Sequence, residues 1–376
     1  MRQYFRQYKT GKNSILDRLK TVLLTCVLLC LFLLSGCDKT EETLESYELV
    51  VAKVNAEIAN GTDGYITLNI TGDVSEEDLS NINYSIDTMK GNVTSITTYR
   101  EKSLSDSRKV KINIERSDAM YVYDHILEGR EIPQDKPKAK ELSDVCESLL
   151  KKLIKPGMTD FEKELAIHDY IVENCSYGLS KDRDDTEYTA YGALVNKTAV
   201  CSGYASAMNL LLNCSGVESE IISGKAQAMG SSEEKIENHA WNQVKLGGEW
   251  YNLDVTWDDP VGDKAELSHE FFNIPDSIMK KSHIWDESKY KKCTGMQYNY
   301  YKFKGAYISD LSSLENYIKV QIMNGNDKVD CALNNLELEE NDLMFLYDIG
   351  RVKTVGYSMS ELPEYQILVI YINRSE

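Results

Sequence analysis

The spacing of apolar and polar residues changes repeatedly along this chain, and the changes divide it into regions. Val22 to Leu34 is an apolar run, shorter than a comfortable membrane span. Leu49–Ile58 and Tyr65–Ile70 read as alternating strands, separated by the turn-forming Asn60-Gly61-Thr62-Asp63-Gly64. A short helix is expected near Ser75–Leu79, where Ser75 and Asp78 have loose capping-box spacing. Val93–Tyr99 and Val110–Ile114 predict further strands, and this first region ends near Ile132-Pro133. Lys136–Lys155 reads as a helix closed by Pro156-Gly157. Thr159–Asn174 reads as the next, with Thr159 and Glu162 forming a capping box. Toward the C-terminus, Leu311–Met323 predicts a helix stopped by Asn324-Gly325, and Glu339–Tyr347 a second one. Val352–Met359 and Tyr365–Ile372 predict closing strands with Pro363 in the turn between them.

The middle of the chain carries the chemistry. Cys201, Ala205, Met208 and Leu212 recur at helical spacing, so AVCSGYASAMNLLL predicts an amphipathic helix ending near Cys214-Ser215-Gly216. Cys201 then lies in the first turn, where free N–H groups and the positive end of the dipole favour a thiolate. Gly203 lies beside it, where backbone could approach a substrate. Downstream, Gln243–Leu246 and Glu249–Asn252 flank Gly247-Gly248, a pair suited to a two-residue hairpin turn. That turn sets Leu246 opposite Glu249 and, counting back, His239 opposite Thr256, with Asp254 as the diagonal neighbour of His239 on one face. The same face is expected to carry Trp241, Gln243, Trp250 and Asn252, and the other face Ala240, Val244, Leu246, Tyr251, Leu253 and Val255. Cysteine, histidine and acid in this order suit a nucleophile, its base and the group that orients the base. His168 is an alternative base for which the sequence places no acid, and His125 reads as structural.

These residues carry a resemblance. VCSGYA followed by HAWNQVKLGGEWYNLDVTW resembles the core of the transglutaminase-like superfamily of papain-fold proteins. The likeness extends to FEKELAIHDYIVENCSYG upstream and to HEFFNIPDSIMKKSHIWDESKY downstream. It implies an α+β fold with the nucleophile helix packed on an antiparallel sheet, and it implies Cys201 as nucleophile, His239 as base and acid, and Asp254 as orienting carboxylate. Vertebrate transglutaminases use an upstream tryptophan as an oxyanion donor, and here no tryptophan precedes Cys201. The Cys201 N–H remains, with Tyr188 or Tyr191 as candidates for the second donor. Tyr204, Trp241 and Trp250, and also Trp257, are candidates for lining a substrate groove.

Composition narrows the setting. The 376 residues carry a formal charge of −18, which argues against a nucleic-acid partner. Basic residues concentrate ahead of the apolar run, and Leu34-Ser35-Gly36-Cys37 follows it. The expectation is a signal peptide over 1–36, lipidation of Cys37, and attachment outside a bacterial cytoplasmic membrane. A tether over 37–48 would lead to an accessory domain at 49–135, the catalytic domain at 136–301 and a second accessory module, α/β or β-rich like the first, at 302–376. With Cys201 and the leader cysteines set aside, Cys146, Cys175, Cys214, Cys293 and Cys331 show no C-x-x-C spacing, so neither a disulfide framework nor a zinc site is expected. Lys181–Asp185 lacks the pattern of a calcium loop, and no metal or cofactor is expected. The expected activity is hydrolysis of a peptide or protein substrate, cell-wall peptide included, because polar residues around His239 and Asp254 suggest an open, wet groove. Acyl transfer to an amine, or a binding module without catalysis, are the alternatives.

Overall fold

The computed structural model describes residues 43–71, 73–82, 91–99, 107–179, 185–227, 236–259, 267–339, 341–349, 352–362 and 364–374. The expected signal peptide over 1–36, Cys37, the charged residues 181–184 and Pro363 lie outside them. No described helix is long and apolar enough to cross a membrane. Two compact units emerge, and the fold is α+β.

The smaller unit holds β1 (Thr43–Leu44), most of α1 (Tyr47–Ala59), β2 (Gly64–Ile70), α2 (Glu76–Ser80), and most of β3 (Gly91–Tyr99) and of β4 (Arg108–Arg116). Its sheet runs β1-β2-β4-β3, with β2 antiparallel to β4. The stretch Leu49–Ile58, expected as a strand, is helix. Val50, Val54 and Ile58 fall four residues apart on one buried stripe, a 3.6-residue period that the β-branched valines obscure. Helix α2 starts with a full capping box, since Ser75 Oγ accepts from the Asp78 N–H and Asp78 accepts from the Ser75 N–H.

In the larger unit three helices lead to the nucleophile: α3 (Asp118–Glu128), α4 (Pro137–Leu153) and α5 (Asp160–Asn174). Helix α3 was not expected from the sequence; Ser117 caps its start and Gly129 ends it in the left-handed conformation. His125, on α3, has its ring nitrogen 2.7 Å from the Arg130 carbonyl oxygen. The capping box of Thr159 and Glu162 opens α5 as anticipated. Then β5 (Ser176–Tyr177) pairs in parallel with β6 (Thr198–Ala199), and α6 (Cys201–Cys214) follows at once.

The central sheet comprises β7 (Ser219–Gln227), β8 (Ile236–Leu246), β9 (Glu249–Leu253) and, after the short helix α7 (Asp276–Met279), β10 (His283–Ile284), in the order β10-β7-β8-β9. Gly247 and Gly248 both have positive φ, 59° and 93°, and close the β8–β9 hairpin with Leu246 opposite Glu249. Tyr204, Met208 and Leu211 of α6 and Val244, Leu246 and Tyr251 of the hairpin belong to one hydrophobic core. Helix α8 (Tyr300–Phe303) leads to a last sheet of β11 (Tyr307–Ile308), β12 (Lys328–Leu333), β14 (Gln366–Arg374) and β13 (Val352–Glu361), with α9 (Leu311–Met323) in between. Among the described residues of the expected helix at Glu339–Tyr347, the regular element is a 3-10 turn at Met344–Asp348. This last sheet shares a hydrophobic core with Ile222, Trp241 and Phe271 of the preceding layer.

Candidate active site

Cys201 is the first residue of α6 and is partly exposed. The helix start is set by a close approach of backbone. The Val200 N–H donates to the Glu187 carbonyl at 3.0 Å, and a Cβ placed on Gly203 would lie 2.3 Å from that same oxygen. Gly203 therefore admits the chain's own 3-10 turn at Thr186–Tyr188, in place of the substrate approach expected for it.

His239 lies on β8 and Asp254 immediately after β9. The β8–β9 ladder ends at Asn242 opposite Leu253, so the expected pairing of His239 with Thr256 is not formed. Beyond it, residues 254–258 turn, yet the diagonal closes: Nε2 of His239 and Oδ2 of Asp254 are 2.6 Å apart. Nδ1 of His239 is left for Cys201, whose hydrogen bond and charge act on the imidazole. Burial disfavours the charged ring. The charge and hydrogen bond of Asp254, joined by those of Cys201, outweigh it and bring the His239 pKa to about 10.

Asp254 is fully buried. Oδ1 accepts the N–H groups of Thr256 at 3.0 Å and Trp257 at 3.2 Å. Oδ2 is also 3.0 Å from Nε2 of His283, a residue the sequence reading did not single out. Burial raises the Asp254 pKa, but His239 and His283 hold it well below the usual carboxylate range. Burial likewise pushes His283 down, and there it prevails over the bond to Asp254.

The remaining expectations divide. Tyr188 is 50% exposed and acts by charge on Tyr177, and the Tyr191 hydroxyl donates to Glu141 at 2.5 Å. Tyr177 is the tyrosine next to the nucleophile: β5 sets it opposite Ala199, two residues before Cys201, and burial, then the Cys201 charge, raise its pKa. The quoted segment NCSYG contained it. Tyr204 does not line a groove, because it is fully buried and donates to Asp259 at 2.5 Å. Trp241 is 1% exposed, and Trp250 sits opposite Lys245 toward the hairpin turn, some six residues or about 20 Å along β8 from His239. Trp257 is the tryptophan that is partly exposed here, with its ring centroid 5.7 Å from that of His239. Gln243 and Asn252, expected in a wet groove, are fully buried and bond to each other at 3.2 Å.

His168, read without an acid partner, has two. Its ring nitrogens lie 3.0 Å from Asp169 and 3.1 Å from Asp258, and His269 lies 2.9 Å from Asp169. Burial opposes charge on His168, but the carboxylates raise its pKa to about 9. The donor atoms of His168, Asp169 and His269, like those of His239, Asp254 and His283, are within 4.8 Å of one another. In each cluster one carboxylate oxygen lies at hydrogen-bond distance from two ring nitrogens. The six described cysteines are unpaired.

Residues 147–255 match the family described as the transglutaminase-like superfamily, which supports a transglutaminase-like domain over the part of the chain that carries Cys201, His239 and Asp254. Kyphoscoliosis peptidase of Homo sapiens is 26% identical over 131 residues, or 33% of this chain and 20% of that protein. The Mus musculus protein of the same name is 26% identical over 129 residues with the same shares. The chain thus spans about a fifth of the length of the curated relatives it matches. A crystal structure of a TGase is similar at 12% identity and a TM-score of 0.27, covering 55% of this chain and 54% of that one.

Proposed function

We propose that this chain is a thiol hydrolase of peptide or amide bonds, with Cys201 as nucleophile, His239 as acid and base, and Asp254 as the carboxylate that orients His239. One observation carries the reading: a partly exposed cysteine at a helix start acts by hydrogen bond and charge on a histidine whose Nε2 is held at 2.6 Å by a buried, fully hydrogen-bonded carboxylate. The Cys201 thiol passes its proton to Nδ1 of His239, its sulfur attacks the carbonyl carbon, and the oxyanion takes donors from the Cys201 N–H and the Tyr177 hydroxyl. His239 gives its Nδ1 proton to the leaving amine as the C–N bond breaks. It then takes a proton from the water that attacks the thioester, which frees the acid and restores the thiol. The choice of water as acceptor rests on the peptidase named among the relatives, since the buried Gln243 and Asn252 no longer argue for a wet groove. The same reading places the protein outside the cytoplasmic membrane on lipidated Cys37, supported by the basic leader, the apolar run and the small residues before that cysteine.

The test supplies a short peptide acyl donor together with a labelled primary amine and follows products by mass spectrometry. Cys201-dependent cleaved or deamidated product is expected to predominate. Predominant amine incorporation would make the enzyme a transferase with the same catalytic residues.

A further inference from the structure

We propose that His283 is a positioning residue for the thiol chemistry, its Nε2–H holding the Asp254 carboxylate in the orientation from which it aligns His239. The inference rests on the reading of Cys201 as nucleophile, and it extends the chain of groups by one member beyond the acid. The bonding of Asp254 requires a second donor. An ionised carboxylate offers about four acceptor positions. Two on Oδ1 are taken by the backbone of Thr256 and Trp257, and two on Oδ2 by His239 at 2.6 Å and His283 at 3.0 Å. Backbone amides fix one oxygen of the group. Without His283, the oxygen that matters for catalysis would be held only by the histidine it is supposed to align.

The tautomer of His283 follows from its partners. Asp254 only accepts, so Nε2 carries the hydrogen, while Nδ1 lies 2.8 Å from the Ser282 hydroxyl and the Met279 carbonyl also bonds the ring. Burial disfavours charge on the ring, and the Nε2–H gives the carboxylate a second donor beside the His239 imidazole. The ring is fixed from several sides. Its centroid lies 4.4 Å from that of Trp257, 5.0 Å from Trp241 and 5.8 Å from Phe271, and β10 pins its backbone opposite Ala226. A residue 1% exposed and enclosed in this way cannot reach a substrate, so any effect on reactivity passes through Asp254.

The experiment uses the full chain and two readouts. One is the rate of Cys201 alkylation by iodoacetamide, resolved by peptide mass spectrometry. The other is the low-field proton resonance of the His239 Nε2–H bonded to Asp254. His283→Ala is expected to slow alkylation by about tenfold or more and to shift or broaden the resonance. His283→Gln, whose amide can donate to Oδ2, is expected to recover most of both. Ser282→Ala, which frees the tautomer without emptying the site, is expected to have a smaller effect in the same direction and serves if His283→Ala does not fold. Wild-type alkylation with an unmoved resonance in His283→Ala would overturn the proposal. Equal loss in His283→Ala and His283→Gln alongside lowered thermal stability would also overturn it, since packing alone would then explain the loss. If His239→Ala alkylates at the wild-type rate, the reading of the thiol fails instead, while the resonance still reports whether His283 holds Asp254.

Discussion

Asp254 concentrates the chemistry at the scale of single residues. Replacing it by asparagine keeps the shape but substitutes an amide for one acceptor oxygen, so His239 loses the partner that sets its tautomer. Asp254→Asn is expected to cut Cys201-dependent turnover by about three to four orders of magnitude, measured as product formation on a peptide substrate. Asp258→Asn is expected to act mainly on stability, because Asp258 bonds to the buried His168 and not to His239. A second buried acid gives a prediction about pH. Glu164 accepts from Asn273 at 2.8 Å, while its Oε1 and the Asn273 Oδ1 are buried without a partner. Burial, opposed by the Asn273 bond and the His168 charge, raises its pKa to about 8. Its folded pKa thus lies above the unfolded value near 4.5, so the folded state holds the extra proton between the two. Stability falls as pH rises through that window. His168, raised to about 9, adds a loss of the same sign between about 6.5 and 9. Thermal melts should show the wild type losing stability from pH 5 to 8 and Glu164→Gln losing less. Equal slopes in the two proteins would contradict the assignment.

Among the elements, the hairpin was legible in the sequence and its surroundings were less so. Gly247-Gly248 fixes a two-residue turn, and the turn fixes which residues face each other, so the diagonal from His239 to Asp254 followed by counting. Counting could not show that the ladder stops at Leu253. It also could not show that the turn after it delivers three carboxylates to four partners: Asp254 to His239 and His283, Asp258 to His168, and Asp259 to Tyr204. Tyr177 and His283 were missed for the same reason. Each reaches the site through a two-residue strand, β5 or β10, too short to leave a periodic signal. Alternation also misassigned Trp241 and Gln243 to an open face, because both faces of β8 are covered and both residues are buried. Gly203 provides a test at this scale. Gly203→Ala puts a methyl group against the Glu187 carbonyl at the start of α6. It is expected to cost about 1–3 kcal/mol in denaturant unfolding and to reduce Cys201 reactivity by displacing the first turn. A variant with unchanged stability would show that the close approach is not constraining.

At the scale of the whole molecule, the larger unit contains the complete candidate triad, and the proposed location rests on the proposed signal peptide and Cys37. Cys37→Ala is expected to block processing or release the protein from the membrane fraction, seen by fractionation and intact mass. Unchanged size and retention would remove the lipid anchor. The central claim concerns activation of Cys201, and selective labelling alone does not establish it: Cys146, Cys175, Cys214, Cys293 and Cys331 are buried, so exposure by itself would favour Cys201. The most direct measurement is the rate of Cys201 alkylation in the native protein against His239→Ala. The account predicts that the variant keeps its fold and its exposed thiol but reacts at least about a hundredfold more slowly at neutral pH. Equal rates in the two proteins would mean that Cys201 is merely accessible, and would contradict the account.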